Sequence, residues 1–318
     1  MEKRTLGNSG FEITRIGLGT WAIGGPWLFG WGQQDDDDSI GAIHHALDSG
    51  INWIDTAPAY GLGHAEEIVA KALRQTDHEP FIFTKCGIVW NAKGKPSQTL
   101  RKASIVKEVE DSLRRLDVET IDLYQVHWPI PEDEIEEGCA AAEELKKAGK
   151  IRYAGVSNFS VAQMERVRGV LEITSLQPPY SLVQPEVEAE ILPYCLVNGM
   201  GVINYSPMGS GLLTGKMTHE RIQSLPADDW RRRNENFEDP KLAANLAIVE
   251  VLGQIADRHQ CSVAEAAIAW TLNNPAVTGA IVGARRPDQI DGVVGACEIR
   301  LTDEDLSALV RRQEGPAA

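Results

Sequence analysis

Eight short apolar runs, each followed by a helical pattern, restrict this chain to very few folds. The runs are 16–19 (IGLG), 51–55 (INWID), 81–85 (FIFTK), 121–127 (IDLYQVH), 152–157 (RYAGVS), 175–178 (SLQP), 201–205 (GVINY) and 279–283 (GAIVG). Most are apolar at successive positions, as a parallel strand covered on both faces requires. Helices are expected at 38–49, 66–74, 104–116, 134–147, 160–171, 188–197 and 287–295. Two extra helices fit 241–272, and a last one 302–312, with Thr302 as N-cap and Asp305 three residues on. Before the first run, 4–6 and 11–13 flank a Gly7-Asn8-Ser9-Gly10 turn and read as a β-hairpin. This alternation allows a (β/α)8 barrel or a doubly wound sheet. No linker, repeat or low-complexity tract divides the 318 residues, so one domain, 1–318, is expected.

Composition excludes several functions. A formal net charge of −15 argues against nucleic acid or an anionic membrane as a main partner. The five cysteines are scattered, with no CxxC pair, which suggests neither a zinc site nor a disulfide framework. Without an apolar leader or a membrane-length apolar stretch, the protein is expected in the cytoplasm, and the N-x-S sequences at Asn158 and Asn204 are not read as glycosylation sites.

Four polar residues stand at or just past the ends of consecutive strands: Asp55, Tyr60, Lys85 and His127. Thirty residues separate Asp55 from Lys85 and forty-two separate Lys85 from His127, room each time for one strand, one helix and two loops. In a barrel these ends converge on one mouth; in a flat sheet they would spread. Taken singly, each has a plain structural explanation: a turn-capping Asp, a packing Tyr, a solvated Lys, a structural His. Together they make chemical sense. A phenol with a pKa of about 10 is a reluctant acid, and a nearby ammonium favours phenolate and lowers that value. Lys85 would supply the charge, Asp55 would keep Lys85 protonated, and His127 would bond a carbonyl oxygen while Tyr60 delivers a proton. No metal is required.

The second half offers a different set. Ser157, Asn158, Gln177, Tyr205 and Ser206 close successive strands and suit a carboxamide and a flat ring. The loop 208–216 (MGSGLLTGK) presents backbone N–H groups and Lys216 to a diphosphate, and Gly283-Ala284-Arg285-Arg286-Pro287 opens the last helix where barrels often bind phosphate. Other signals are weak. GSGLLTG misses the Rossmann spacing. The acidic run 35–38 complements a helix dipole rather than forming a cation loop, and the adjacent His44 and His45 lie on different helix faces.

These segments closely resemble the aldo-keto reductase family over nearly the whole chain: IGLGTW, INWIDTAPAYGLGHAEE, IDLYQVHWP, AGVSNF, LQPPYSLV and YSPMGSGLLTGK occur in family order. The resemblance implies an α/β fold, a (β/α)8 TIM barrel with N-terminal hairpin and extra helices, that holds NADP(H) without a Rossmann domain. It implies a catalytic tetrad of Asp55, Tyr60, Lys85 and His127. The cofactor contacts implied are Thr20 and Trp21 near the nicotinamide, with Asp55 beside them, and Ser157, Asn158 and Gln177 at the carboxamide. Tyr205 would stack, and Ser206, Pro207, Met208, Gly209 and Ser210 with Lys216 would hold the diphosphate. Gly283, Ala284, Arg285 and Gln289 would take the adenosine phosphate. The long loop 208–240 and the ending ARRPDQ resemble the bacterial branch with inositol-operon and general-stress reductases, where an arginine covers the cofactor; Arg231 is the best match, with Arg232 and Arg233 as rivals. Many members carry Glu-Asn after the glutamine, but here Ile290-Asp291-Gly292 follows Gln289, which leaves the adenine contacts open.

The expected function is NADP(H)-dependent carbonyl reduction, or alcohol oxidation, on a small molecule with no obligate protein partner. The alternative of the same fold is a cofactor-sensing regulatory subunit with little turnover, and no added interaction segment favours it. A Lys85 Schiff-base aldolase is disfavoured because Asp55 would keep that lysine protonated and poorly nucleophilic. The loop 22–38 carries Trp27, Phe29 and Trp31 toward the mouth, with Trp90 and Trp128 nearby, as pocket lining or loop packing. The six residues after Arg312 are expected to build little of a pocket wall.

Overall fold

Every apolar run becomes a strand of one closed parallel barrel in the computed structural model, which describes residues 1–28, 30–226 and 229–313. The strands are β1 (Ile16–Gly19), β2 (Trp53–Asp55), β3 (Phe81–Cys86), β4 (Ile121–Val126), β5 (Ile151–Ser157), β6 (Ser175–Gln177), β7 (Gly201–Asn204) and β8 (Val277–Gly283). They follow chain order around the ring, and β8 closes on β1 with Ala280 beside Ile16. Closure excludes the doubly wound sheet and brings all eight carboxyl ends to one mouth.

The interior is layered. Trp53, Phe83, Leu123, Ile203 and Ile281 form an apolar layer. Leu6 and Ile13, both fully buried, join it from the N-terminal hairpin (Lys3–Thr5 with Glu12–Thr14), which plugs the end opposite the mouth. The Trp53 indole donates to Thr14 O at 2.8 Å and ties plug to strand. Side chains alternate along a strand, so the residue two further on faces the interior again. That step leads from Trp53 to Asp55, from Phe83 to Lys85 and from Leu123 to Gln125. A polar layer therefore lies on the apolar one.

The helices cover the outer faces and differ from expectation mainly at their ends. The first, α1 (Asp36–Asp48), is capped by Asp35, whose carboxylate accepts from the N–H of Asp37 and Asp38. The acidic run thus serves a helix start. Next come α2 (His64–Leu73) and α3 (Lys102–Leu116). The helix expected at 160–171 has a Ser160–Gln163 capping box but ends at Val167, two residues before Gly169. The helix expected at 188–197 is Ile191–Val197, since Pro193 lacks an N–H and belongs in a first turn. Only Asp288–Asp291 is α-helical in 287–295. Lys241–His259, Val263–Asn273 and Asp303–Gln313 form as anticipated, the last with Thr302 and Asp305 bonding each other's N–H groups.

An unanticipated hairpin, Ile88–Trp90 with Pro96–Gln98, rises from β3. Its tip, 91–95, is too polar to show strand alternation. Among the described residues, no helix is long and apolar enough to cross a membrane.

Candidate active site

Asp55, Tyr60, Lys85 and His127 meet at the mouth. Lys85, fully buried, donates from Nζ to Asp55 Oδ1 at 2.5 Å, to Thr56 O at 3.0 Å and to Tyr60 Oη at 3.2 Å. Burial alone would lower the Lys85 pKa, but Asp55 and Tyr60 outweigh it and hold the ammonium above its usual range. The His127 ring stands nearly perpendicular to that of Tyr60, centroids 6.1 Å apart. Desolvation, helped by the Lys85 charge, pushes its pKa well below the usual value, so the imidazole is neutral at pH 7. Among the described residues neither of its ring nitrogens has a partner, which leaves an N–H for an incoming oxygen.

One electrostatic expectation is corrected. Lys85 does pull the Tyr60 phenol down, but burial pushes it up more strongly and Asp55 adds to the rise, so the net direction is upward. The ammonium limits the rise instead of producing a depressed value, because the phenol lies in the same desolvated layer as its tuning charge.

The other expected residues adjoin this centre. Thr20 N–H donates to Asp55 O at 2.9 Å, and Trp21 follows it in the turn Trp21–Ile23. Ser157 Oγ donates to Gln177 O at 2.8 Å. Asn158, at φ +63°, donates to His127 O at 3.0 Å and accepts from Tyr205 Oη at 2.9 Å. Gln177 turns its amide nitrogen inward, to Asp55 Oδ2 at 2.8 Å and Gln125 Oε1 at 3.2 Å, so its carbonyl oxygen is the end left for a ligand amide. Beyond Tyr205, Ser206, Gly209, Ser210 and Gly211 all have left-handed backbone, which turns the segment after Pro207 and Met208 into a tight cradle. Lys216 is exposed at its end.

The residues expected at the adenosine end bond one another and the loop after β1. Arg285 donates from Nε to Gln34 Oε1 at 2.5 Å, from Nη1 to Trp31 O at 3.3 Å, and to Gln33 O. Its N–H is held by Gln289 Oε1 at 2.7 Å. Gly283 ends β8, and Ala284 is buried behind Arg285. Asp291 accepts from His45 Nε2 at 2.7 Å on the helix surface.

Two aromatic groups divide the expected pocket lining. Trp21, Trp31 and Trp230 pack with centroids 5.2–5.8 Å apart, and Arg231 lies over the Trp31 ring at 4.8 Å while paired with Asp229. Arg231 thereby spans from the loop after β7 to the loop after β1, whereas Arg232 donates to Leu225 O and Arg233 is exposed. Trp27 instead joins the added hairpin, donating to Gly94 O at 2.9 Å and standing 6.1 Å from Trp90. Trp128 is on the open rim, and Phe29 lies outside the described residues. Sequence reasoning missed Gln125, Gln34 and Trp230. Gln125 carried a readable signal, two residues before His127 on the same strand face; Gln34 carried none.

The family model for the aldo/keto reductase family matches residues 15–313. The chain belongs to the aldo-keto reductase family. It is 43% identical over 311 residues to aldo-keto reductase YhdN of Bacillus subtilis (strain 168), covering 96% of this chain and 91% of that protein. It is 36% identical over 327 residues to the NADH-specific methylglyoxal reductase of Escherichia coli (strain K12), covering 97% of each. The solved structure of the glycerol dehydrogenase AKR11B4 from Gluconobacter oxydans superimposes with a TM-score of 0.90 at 42% identity, over 97% of this chain and 94% of that one. Aldo-keto reductases are oxidoreductases of carbonyls and alcohols that use nicotinamide cofactors.

The site residues fit such a cofactor. The indole N–H groups of Trp31 and Trp230 are buried with no acceptor among the described residues, as donors awaiting a ligand would be. The left-handed turn 209–211 lies against Arg231, whose Nη1 would be 3.8 Å from a Cβ on Gly211.

Proposed function

We propose that this aldo-keto reductase is an NADP(H)-dependent carbonyl reductase in which Tyr60 is the general acid, and the general base in the reverse direction. The observation carrying this reading is the contact of Lys85 Nζ with both Asp55 (2.5 Å) and Tyr60 Oη (3.2 Å) at the barrel mouth. Trp21, Ser157, Asn158, Gln177 and Tyr205 would hold the nicotinamide end, the turn after Ser206 with Lys216 the diphosphate, and Arg285 the 2′-phosphate. When bound, the cofactor supplies or accepts the hydride.

The protein's own part is proton management. Neutral His127 donates a hydrogen bond to the carbonyl oxygen and fixes its orientation. Tyr60 gives its proton to that oxygen as negative charge develops there, and the resulting phenolate is stabilised by the Lys85 ammonium. Asp55 keeps Lys85 charged. Because burial raises the Tyr60 pKa, the phenol stays loaded for reduction across neutral pH, and oxidation is favoured only in alkaline solution.

The test is a panel of aldehydes, ketones, sugars, methylglyoxal and glycerol, followed by nicotinamide absorbance with NADPH and NADH. Tyr60→Phe should lower kcat by about 10²- to 10⁴-fold while leaving cofactor affinity nearly unchanged, since the ring remains. Near wild-type turnover in that variant would remove Tyr60 from the mechanism.

A further inference from the structure

Gln125 sits at the centre of the polar layer although the tetrad does not include it. It is fully buried on β4, with Lys85 beside it in register on one side and Gly155 on the other. Its amide nitrogen donates to Asp55 Oδ2 at 3.2 Å, and its carbonyl oxygen accepts from Gln177 Nε2 at 3.2 Å. Gln177 Nε2 also reaches Asp55 Oδ2, at 2.8 Å, which closes a ring of three side chains from three strands. The opposite oxygen, Asp55 Oδ1, belongs to Lys85. The barrel leaves space for this arrangement: a Cβ at Gly155 would stand 3.3 Å from Gln125 Cγ and 2.6 Å from Ser175 Oγ. A Leu or Met would fill similar volume without a buried amide to satisfy, so packing alone does not explain a glutamine.

We propose that Gln125 is a positioning residue for the reaction: it locks Asp55 Oδ2 and Gln177 into one hydrogen-bonded ring, so the carboxylate that serves Lys85 and the amide offered to the cofactor's carboxamide stay in fixed register. The inference rests on the reading of Tyr60 as the acid. Gln125 acts through Asp55 and Lys85. The charged and titratable groups facing Tyr60 are Lys85, Asp55, His127 and Tyr205, and of these Gln125 bonds Asp55 alone. Without the amide, Asp55 Oδ2 loses the positive end of a dipole that offsets its charge. The potential at Tyr60 then becomes more negative, and the phenol ionises at higher pH.

The experiment measures the single-turnover rate of reduction against pH, using the fastest carbonyl compound of the panel. Wild type, Gln125→Leu, Gln125→Met and Tyr60→Phe are compared, with thermal unfolding of each alongside. Either folded Gln125 variant should move the alkaline limb of the rate upward by about half a unit to one unit and raise the cofactor concentration that gives half the maximal single-turnover rate. A folded Gln125 variant whose limb stays at the wild-type position overturns the proposal, and an inactive Tyr60→Phe then leaves the acid assignment standing. A Tyr60→Phe protein with wild-type rates overturns both. If neither Gln125 variant folds, the residue is structural and the positioning role is rejected.

Discussion

Arg285 shows how one side chain serves two demands. Its guanidinium bonds the backbone of Trp31 and Gln33 and the side chain of Gln34, so it anchors the loop after β1, and the proposed function asks it to hold the 2′-phosphate as well. A charge-assisted hydrogen bond contributes roughly 1.5–3 kcal/mol, about ten- to a hundredfold in affinity. Arg285→Ala should therefore weaken NADPH binding by about that factor. NADH binding should weaken too, but only a few-fold, through the loosened loop, when each cofactor is titrated against intrinsic Trp fluorescence. Equal losses for both would make Arg285 a loop anchor with no reading of the 2′-phosphate. The proposed preference for NADP(H) differs from the NADH-specific relative, so this arginine is the place to test it.

At the scale of elements, α3 controls where β3 leaves the barrel. The Glu108 carboxylate accepts from Gly87 N–H at 2.8 Å and from Ser104 Oγ at 2.8 Å, pinning the strand end from which the hairpin 88–98 rises. Burial pushes its pKa up to about 7, against the Gly87 and Ser104 hydrogen bonds and the Arg115 charge, with Asp111 adding slightly. The folded value lies above the unfolded one, so the folded chain holds this proton more tightly. Its contribution is full below about pH 4.5 and is lost as pH rises through about 7. We expect the stability difference between wild type and Glu108→Gln to shift against wild type by on the order of 2–3 kcal/mol between pH 5 and 8, measured by urea unfolding. A pH-independent difference would show that Glu108 does not titrate in this range. The sequence signalled α3 through its apolar periodicity, but the hairpin it supports was invisible, because two three-residue strands, IVW and PSQ, are too short to show a repeat of their own.

For the whole molecule, plug and mouth are separate ends of one barrel. Ile13 is fully buried under the apolar layer, so Ile13→Ala should cost about 2–5 kcal/mol in urea denaturation. Cofactor affinity should remain at the wild-type value, because the polar layer lies on the far side of Trp53 and Phe83. A matching loss of affinity would mean that strain passes through the layers.

What the sequence by itself determined about this protein is local or periodic. Apolar runs mark all eight strands, the acidic run at Asp35 marks a helix start, and a polar residue closes most strands. Each follows from the two-residue repeat of a strand or the capping chemistry of a helix, which need no distant partner. The strand ends also singled out Asp55, Tyr60, Lys85 and His127, and the family segments implied their roles. Tertiary structure alone decided the rest. Asp55, Gln125 and Gln177 become one ring only when β2, β4 and β6 surround the same interior. Arg285 meets Gln33 and Gln34 across about 250 residues of chain because closure sets β8 beside β1. The upward direction of the Tyr60 pKa was equally out of reach: it depends on how completely the closed mouth removes water from the phenol and from Lys85 together, and desolvation belongs to the assembled barrel rather than to any residue in it.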